Sequence, residues 1–165
     1  MRKGFTLIEL LTVIAVLTVL SAILIQYSRT GERQLILFRE QAKLIAALSQ
    51  SKSLALSTFN RPEVPCGYGM HFVAPRTYIL FSDLSPNCAT SDRVYSGTDE
   101  DVTVFDLDPN IQFVDLSVSD ILFIPPDPRI VMTPAQTEAD ITIETIDGTA
   151  SMMVRVNSAG QITTQ

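Results

Sequence analysis

The chain has 165 residues, of which 46% are hydrophobic, and a formal net charge of −6, which is the size of one ordinary domain. The charge is divided unevenly, because residues 1–58 carry seven Lys or Arg against three Glu, a net +4. Residues 59–165 carry five Arg against fifteen Asp or Glu, a net −10. An acidic surface repels phosphate backbones, so nucleic-acid binding by the later part is not expected.

The chain opens with a basic pair and a long apolar run, "RKGFTLIELLTVIAVLTVLSAILI". Residues 5–25 hold one charged residue, Glu9, and their number matches the roughly 20 residues that a helix needs to cross a bilayer. Arg2 and Lys3 precede the run, so the positive-inside rule places the N-terminus in the cytoplasm and the rest of the chain outside.

Two interpretations of this segment leave Glu9 without a role. In a secretory signal peptide, Val19 and Ser21 are small enough for the −3 and −1 positions, and the mature chain would begin at Ala22. Against this interpretation, Glu9 lies inside the apolar region, where a charge costs about 2.5–3.5 kcal/mol on insertion scales. A plain membrane anchor fits the order of the charges but leaves Glu9 unexplained.

A third interpretation uses Glu9 for assembly. Cleavage between Gly4 and Phe5 would create a new α-amine at Phe5. A neighbouring copy, shifted along the helix axis, could present that amine to the Glu9 carboxylate. Such a pair is much more favourable in a low-dielectric core than either charge alone, so Glu9 would fix the register between subunits.

The stretch "KGFTLIELL" resembles the type IV prepilin signature, a short basic leader followed by Gly, Phe and a Glu five residues after the cut. The resemblance implies that a prepilin peptidase cleaves after Gly4 and methylates the new N-terminus at Phe5. It also implies that Glu9 serves assembly with other pilin or pseudopilin subunits. The protein would then be a subunit precursor, held in the cytoplasmic membrane with its head outside and later extracted into a filament.

Few helix breakers occur before Pro62, so the sequence predicts one long helix from about Phe5 to about Ser57. Its predicted parts are a leader of residues 1–4, a membrane-spanning half of residues 5–25 and an amphipathic half of residues 26–58. In the amphipathic half, Arg39, Lys43 and Gln50 are expected to face away from the following domain, and Lys52 to snorkel or to mark the end of the apolar stripe. That stripe is predicted to comprise Leu37, Phe38, Ala42, Leu44, Ile45, Leu48, Ala55 and Leu56.

After the breaker cluster "FNRPEVPCG" the apolar period changes to two, which predicts a β-rich head over residues 59–165. The proline-rich stretch "PPDPRIVMTPAQTEAD" is expected to be loop or edge, and "IDGT" is a hairpin signal. The predicted fold is α+β, one long N-terminal helix packed on an antiparallel sheet. Candidate strands cover residues 68–73, 77–82, 102–107, 111–116, 121–124, 140–146, 150–156 and 161–163.

This plan resembles pseudopilins, and the strand-rich head with the closing hairpin "MMVRVNSAGQI" is similar to the general secretion pathway protein H / FimT group of minor members. The resemblance implies a structural role in a type II secretion pseudopilus or a type IV pilus. FimT-type members linked to DNA uptake tend to end in a basic tail. The tail here is "QITTQ", so the resemblance does not extend to DNA binding.

Two cysteines, Cys66 and Cys88, lie in the head, and a disulfide is expected if the head is outside the cytoplasm. It would contribute on the order of 3 kcal/mol by chain entropy. His71 is the single histidine, and neither a catalytic dyad nor a zinc site accompanies it, so a structural or surface role is expected.

The acidic stretch "SGTDEDVTVFDLDPN" offers weak calcium candidates, but Ile111 and Ser117 stand where a calcium loop needs Gly and Glu, so a solvated loop is favoured. No other cofactor is expected. The candidate ligands are Asp99, Glu100, Asp101, Asp106 and Asp108.

Two other functions remain open at the level of the sequence. A membrane-anchored extracytoplasmic binding domain that never polymerises would require no cleavage at Gly4. An envelope hydrolase would require a catalytic cluster that the sequence does not suggest, so the protein is not expected to be an enzyme.

Overall fold

The computed structural model describes residues 6–57, 65–125 and 129–164, with the backbone alone for residues 25–30. The chain divides into two compact units, Met1–Leu35 and Ile36–Gln165. A single helix of 51 residues, α1 (Leu7–Ser57), continues from the first unit into the second. The boundary between the units falls between Leu35 and Ile36, whereas the sequence predicts that the membrane half of the helix ends at residue 25.

The second unit contains nine strands in two sheets, and every neighbouring pair is antiparallel. The strand order is β3-β2-β1-β5-β6 in the five-stranded sheet and β4-β7-β8-β9 in the four-stranded sheet. The α+β class is therefore confirmed, with two sheets where one was predicted. The strands are β1 (Gly67–Val73), β2 (Thr77–Asp83), β3 (Asp101–Asp106), β4 (Ile111–Leu116), β5 (Asp120–Ile124), β6 (Arg129–Thr133), β7 (Glu138–Thr145), β8 (Ser151–Asn157) and β9 (Ile162–Thr164).

All eight predicted strands are present, with ends that differ by at most two residues. The ninth, β6, lies in the proline-rich stretch and forms an edge of the five-stranded sheet. Prolines occur on both sides of it in the sequence but not within it. Because an edge strand needs ladder hydrogen bonds on one side only, β6 can form in such a stretch.

One hydrophobic core joins α1 to both sheets. Leu44 and Leu48 of the helix are fully buried against Met70 and Phe123 of the five-stranded sheet and Ile141 of the four-stranded sheet, all in one cluster. A second, smaller cluster covers the opposite face of the five-stranded sheet and is formed by Phe81, Leu122, Ile79 and the partly buried Tyr95. The central strands β1, β2 and β5 are thus covered on both faces, as their apolar sequences require.

The buried stripe of α1 differs from the predicted stripe. Phe38 is 57% exposed and Leu56 46% exposed, and Ala42 is exposed as well, so their assignment to the buried face was wrong. The face that packs on the sheets keeps the i, i+3, i+4, i+7 spacing but includes polar residues that a hydrophobic pattern leaves out. Its members are Leu37, Glu40, Gln41, Leu44, Ala47, Leu48, Ser51 and Ala55.

Candidate functional site

The first turn of α1 is closed by a reciprocal cap between Thr6 and Glu9. The Thr6 N–H donates to Oε2 of Glu9 at 3.0 Å, and the Thr6 hydroxyl donates to the same oxygen at 2.9 Å. The Glu9 N–H donates to Oγ1 of Thr6 at 3.4 Å. This is a capping box, which satisfies two of the N–H groups that a helix start leaves without partners. This cap was not predicted, although Thr-x-x-Glu before an apolar run is a sequence signal for it.

The segment that follows the cap is suited to lipid. Among the described residues, one helical stretch is long and apolar enough to cross a membrane, Leu7–Leu24, with a mean hydropathy of 2.6. Its hydroxyl groups donate to backbone carbonyls of the preceding turn, as Thr12 does to Glu9 at 2.9 Å, Thr18 to Ala15 at 2.8 Å and Ser21 to Leu17 at 2.8 Å. No water is available in a bilayer core, so donors satisfied within the helix remove a cost of insertion.

The apolar surface of this segment is uncovered. Each residue from Thr6 to Leu24 is exposed, including Leu7 at 80% and Leu24 at 69%. Such a surface requires lipid or neighbouring helices. Glu9 is the one acid within it, so the carboxylate marks a defined level near the start of the helix.

The remaining residues of the predicted processing site lie outside the described part of the chain. These are the leader cations Arg2 and Lys3 and the two residues of the expected cleavage site, Gly4 and Phe5. Their roles stay predictions.

The head has the predicted disulfide, Cys66 to Cys88, with Cα atoms 5.1 Å apart. The bond connects the residue just before β1 to the long loop between β2 and β3. Because it closes 22 residues of sequence separation, it restrains this loop as well as the entry to the sheet.

Buried carboxylates hold the same loop. The loop N–H of Ser96 donates to Oε2 of Glu100 at 2.8 Å, and the Ser91 hydroxyl donates to Oδ2 of Asp83. Asp83 is fully buried and Glu100 is 8% exposed. Burial of an acid is tolerated only where hydrogen bonds replace water, so these acids have an evident structural role in fixing the loop.

The single histidine belongs to this arrangement too. Nδ1 of His71 lies 2.7 Å from Oδ1 of Asp120, and Oγ of Ser119 donates to Oδ2 at 2.6 Å. The His71 ring stacks on Tyr95 with centroids 4.4 Å apart. Burial raises the pKa of Asp120, but the hydrogen bonds from His71 and Ser119 outweigh it and leave the pKa below its usual value. Since Ser119 donates to the acid and not to the imidazole, the three groups are not ordered as a nucleophile, base and acid.

Three of the weak calcium candidates, Asp101, Asp106 and Asp108, make other contacts. Asp101 accepts from the Tyr95 hydroxyl at 2.8 Å, and this bond is the first cause that raises the pKa of Tyr95 to about 12. Asp106 accepts from Thr77 at 2.7 Å, Asp108 pairs with Arg39 at 3.2 Å, and Asp99 is an exposed residue of the short 3₁₀ turn Thr98–Glu100. In the described ranges no three His, Cys, Asp or Glu side chains come together as metal ligands would.

A buried acid that was not predicted from the sequence lies on α1. Glu40 is fully buried, and its Oε1 accepts from Lys43 at 2.8 Å and from Arg39 at 3.2 Å. Within the part of the chain that the structure describes, its Oε2 is buried without a hydrogen-bond partner. Burial, followed by the charges of Glu40 and Asp106, raises the pKa of Tyr78 to about 12. Spacing from Leu37 and Leu44 is the signal that could have placed Glu40 on the buried face.

Comparison with known proteins finds one family match. Residues 1–25 match the prokaryotic N-terminal methylation motif. No curated protein and no solved structure matches the chain.

Proposed function

Since the methylation motif over residues 1–25 supports the type IV pilin-like and pseudopilin family and indicates a protein that prepilin peptidase processes, we propose that this chain is a minor structural subunit of a type II secretion pseudopilus or a type IV pilus. The peptidase cuts between Gly4 and Phe5 and methylates Phe5. The subunit is first anchored in the cytoplasmic membrane and is then assembled into the filament with other pilin-like subunits. Its role is structural, not catalytic.

The proposal rests on one observation: a single acid, Glu9, lies near the start of an apolar helix whose side chains are exposed. Every residue from Thr6 to Leu24 is exposed, so this surface is available first to lipid and then to helices of neighbouring subunits. Glu9 is placed in the first turn of that helix by its bonds to Thr6. Cleavage before Phe5 would create a positively charged amine next to the cap. This amine could then pair with the Glu9 carboxylate of a neighbouring copy.

The cap and the assembly role are compatible. Both Thr6 bonds go to Oε2 of Glu9, so the amine of a neighbouring subunit can approach Oε1. A charge in the apolar layer is stabilised only when its partner of opposite charge lies next to it. The contact therefore favours the one stagger between helices that pairs the amine with the carboxylate. The cap holds the carboxylate ready for that contact.

The proposal is tested by three variants that separate charge from capping. Glu9→Gln keeps a capping residue at this position but removes the charge, and Glu9→Val removes both. Thr6→Ala removes the hydroxyl of the cap and keeps the charge. We expect all three to insert into the membrane at least at wild-type levels. Loss of an intramembrane charge favours insertion of the two Glu9 variants, and Thr6→Ala leaves the charge and the apolar run unchanged.

The measurement is the amount of each variant that co-purifies with filament partners from native membranes. We expect Glu9→Gln and Glu9→Val to fall to about a tenth of the wild-type yield or lower, as the loss of one charge pair of about 1.4 kcal/mol would cause, and Thr6→Ala to remain close to wild type. Recovery of Glu9→Gln at the wild-type yield would refute the role of the charge. Loss of Thr6→Ala alone would assign Glu9 to capping.

A further inference from the structure

A groove lies in the second unit between the last turns of α1 and strand β9. It is a shallow groove, widely open to solvent, with a volume of about 730 Å³. Nζ of Lys52 donates to the carbonyl oxygen of Gly160 at 2.9 Å and so connects the two walls. The lining residues are Ser49, Lys52, Ser53 and Leu56 from the helix and Gly160, Gln161, Ile162 and Thr163 from the chain around β9.

One wall of the groove is an open sheet edge. Strand β9 pairs with β8, and it ends the order of the four-stranded sheet in the described part of the chain. Asn157 donates to the carbonyl of Gln161 at 3.1 Å. Hydrogen-bonded and non-bonded pairs alternate along an antiparallel ladder, so the next bonded pair is Arg155 with Thr163.

The alternation fixes which backbone groups are available. The N–H and C=O groups of Thr163 point to β8, whereas those of Ile162 and Thr164 point away from it. This edge therefore offers the backbone groups of two residues, Ile162 and Thr164, for hydrogen bonds to an extended chain. Open edges of this kind accept an added strand.

The charge of the groove is opposite to that of the head. Among the described residues that line the groove, Lys52 is the one that carries a charge, while residues 59–165 carry a net −10. An ammonium group has three donors, and the bond to Gly160 uses one of them. The groove therefore presents a cation, an open backbone edge and the half-exposed side chain of Leu56 side by side.

We propose that this groove binds an extended acidic segment of a different protein, which adds as a strand to β9 and places a carboxylate against Lys52. A neighbouring apolar side chain on the same face of the segment as that carboxylate contacts Leu56. A symmetric pairing of β9 with β9 of a second copy would bring two Lys52 side chains towards one another, which disfavours self-association at this edge.

The first test selects partners from a library of randomised twelve-residue peptides, displayed on phage, against the full-length chain in nanodiscs. We expect enrichment of Asp or Glu among β-branched residues. Lys52→Glu should reverse the preference to Lys or Arg and weaken the selected acidic peptide about tenfold or more. Arg129→Glu is the matched control, because it changes the charge equally at an exposed position on the edge of the other sheet.

The second test locates the bound peptide by amide hydrogen exchange of the full-length chain. We expect slower exchange at Ile162 and Thr164 and little change at Thr163, whose N–H is already directed to β8. Thr164→Pro deletes an outward N–H without a ladder bond to β8, so it should abolish binding of the selected peptide and leave the fold intact.

Five outcomes would overturn the proposal. The first four are no enrichment of acidic peptides, an unchanged preference in Lys52→Glu, protection of amides remote from β9, and full binding by Thr164→Pro. Enrichment of peptides that copy this chain's own sequence would assign the groove to a second copy instead, and would equally overturn it.

Discussion

At the scale of single residues, acids in the head are used as structural hydrogen-bond acceptors. Asp120 is 4% exposed and accepts from His71 and Ser119, while Asp83 and Glu100 receive hydrogen bonds from the loop between β2 and β3. Hydrogen bonds to a charged group contribute about 1.5–3 kcal/mol each, more than neutral ones. The net −10 of the head is thus in part an internal framework and not only a solvated surface.

Asp120 gives a pH prediction. Its folded pKa lies below its usual value because hydrogen bonds from His71 and Ser119 outweigh the effect of burial. A lowered folded pKa means that the stabilisation is complete above the unfolded pKa of about 3.9 and is lost as the pH falls through the folded pKa. We expect Asp120→Asn to lower the free energy of unfolding by about 1.5–3 kcal/mol at pH 5.

Urea unfolding of the full-length chain in detergent, followed by near-ultraviolet circular dichroism, would measure this difference between pH 5 and pH 2. The gap between wild type and Asp120→Asn should narrow as the pH falls below about 4. Asp115→Asn is the control, since Asp115 is an exposed acid of β4. A gap that stays constant over the whole range would contradict the role given to the Asp120 charge.

At the scale of elements, the central strand β1 depends on glycine for close packing. Gly69 pairs with Phe81 of β2 and with Leu122 of β5. A Cβ placed on Gly69 would lie 2.6 Å from Cε1 of Phe81 and 2.7 Å from the carbonyl oxygen of Ile121. The second contact is with backbone, so a rotamer change cannot relieve it.

Gly69→Ala is therefore expected to destabilise the head by about 1–3 kcal/mol, as overpacked cores do. The midpoint of thermal unfolding of the full-length chain would measure it. Gly31→Ala is the matched control, because nothing lies within 4 Å of the added methyl group and alanine is the better helix former by about 1 kcal/mol. Equal stability of Gly69→Ala and wild type would show that β1 and β5 can separate without cost.

The elements themselves were largely predictable, and the exceptions have physical reasons. Period-two alternation found eight strands, because the side chains of each strand alternate between faces. It did not separate the strands into two sheets, since pairing partners are set by packing that no local pattern contains. On α1, Phe38 was predicted to be buried and is exposed, while the buried Glu40 was missed, because the stripe was assigned from apolar residues alone and the helical spacing of Glu40 from Leu37 and Leu44 was not used.

The apolar N-terminal segment and the disulfide of the head were predicted from the sequence, whereas the groove beside β9 was not. The apolar run, its lone Glu9 and the cysteine pair are all visible in the sequence. The capping role of Thr6 was also readable but was missed. The groove beside β9 was out of reach, because Lys52 and Gly160 are brought together only by the packing of the helix against the end of the chain.

At the scale of the whole molecule, the two units have opposite surfaces. The first exposes apolar side chains along residues 6–24, and the second buries a core that joins the helix to both sheets. The N-terminal apolar helix together with the methylation motif fits anchoring in the inner membrane. An anchor that also polymerises needs a contact of defined register, which Glu9 supplies in the proposed mechanism.

The central claim is the processing of the N-terminus, and mass spectrometry of the protein recovered from its native membrane tests it most directly. The account predicts a chain that starts at Phe5 with an N-methyl group. A chain that still starts at Met1 would contradict it and favour a static anchor. A chain that starts at Ala22 would contradict it as well, because the helix that carries Glu9 would be absent from the mature protein.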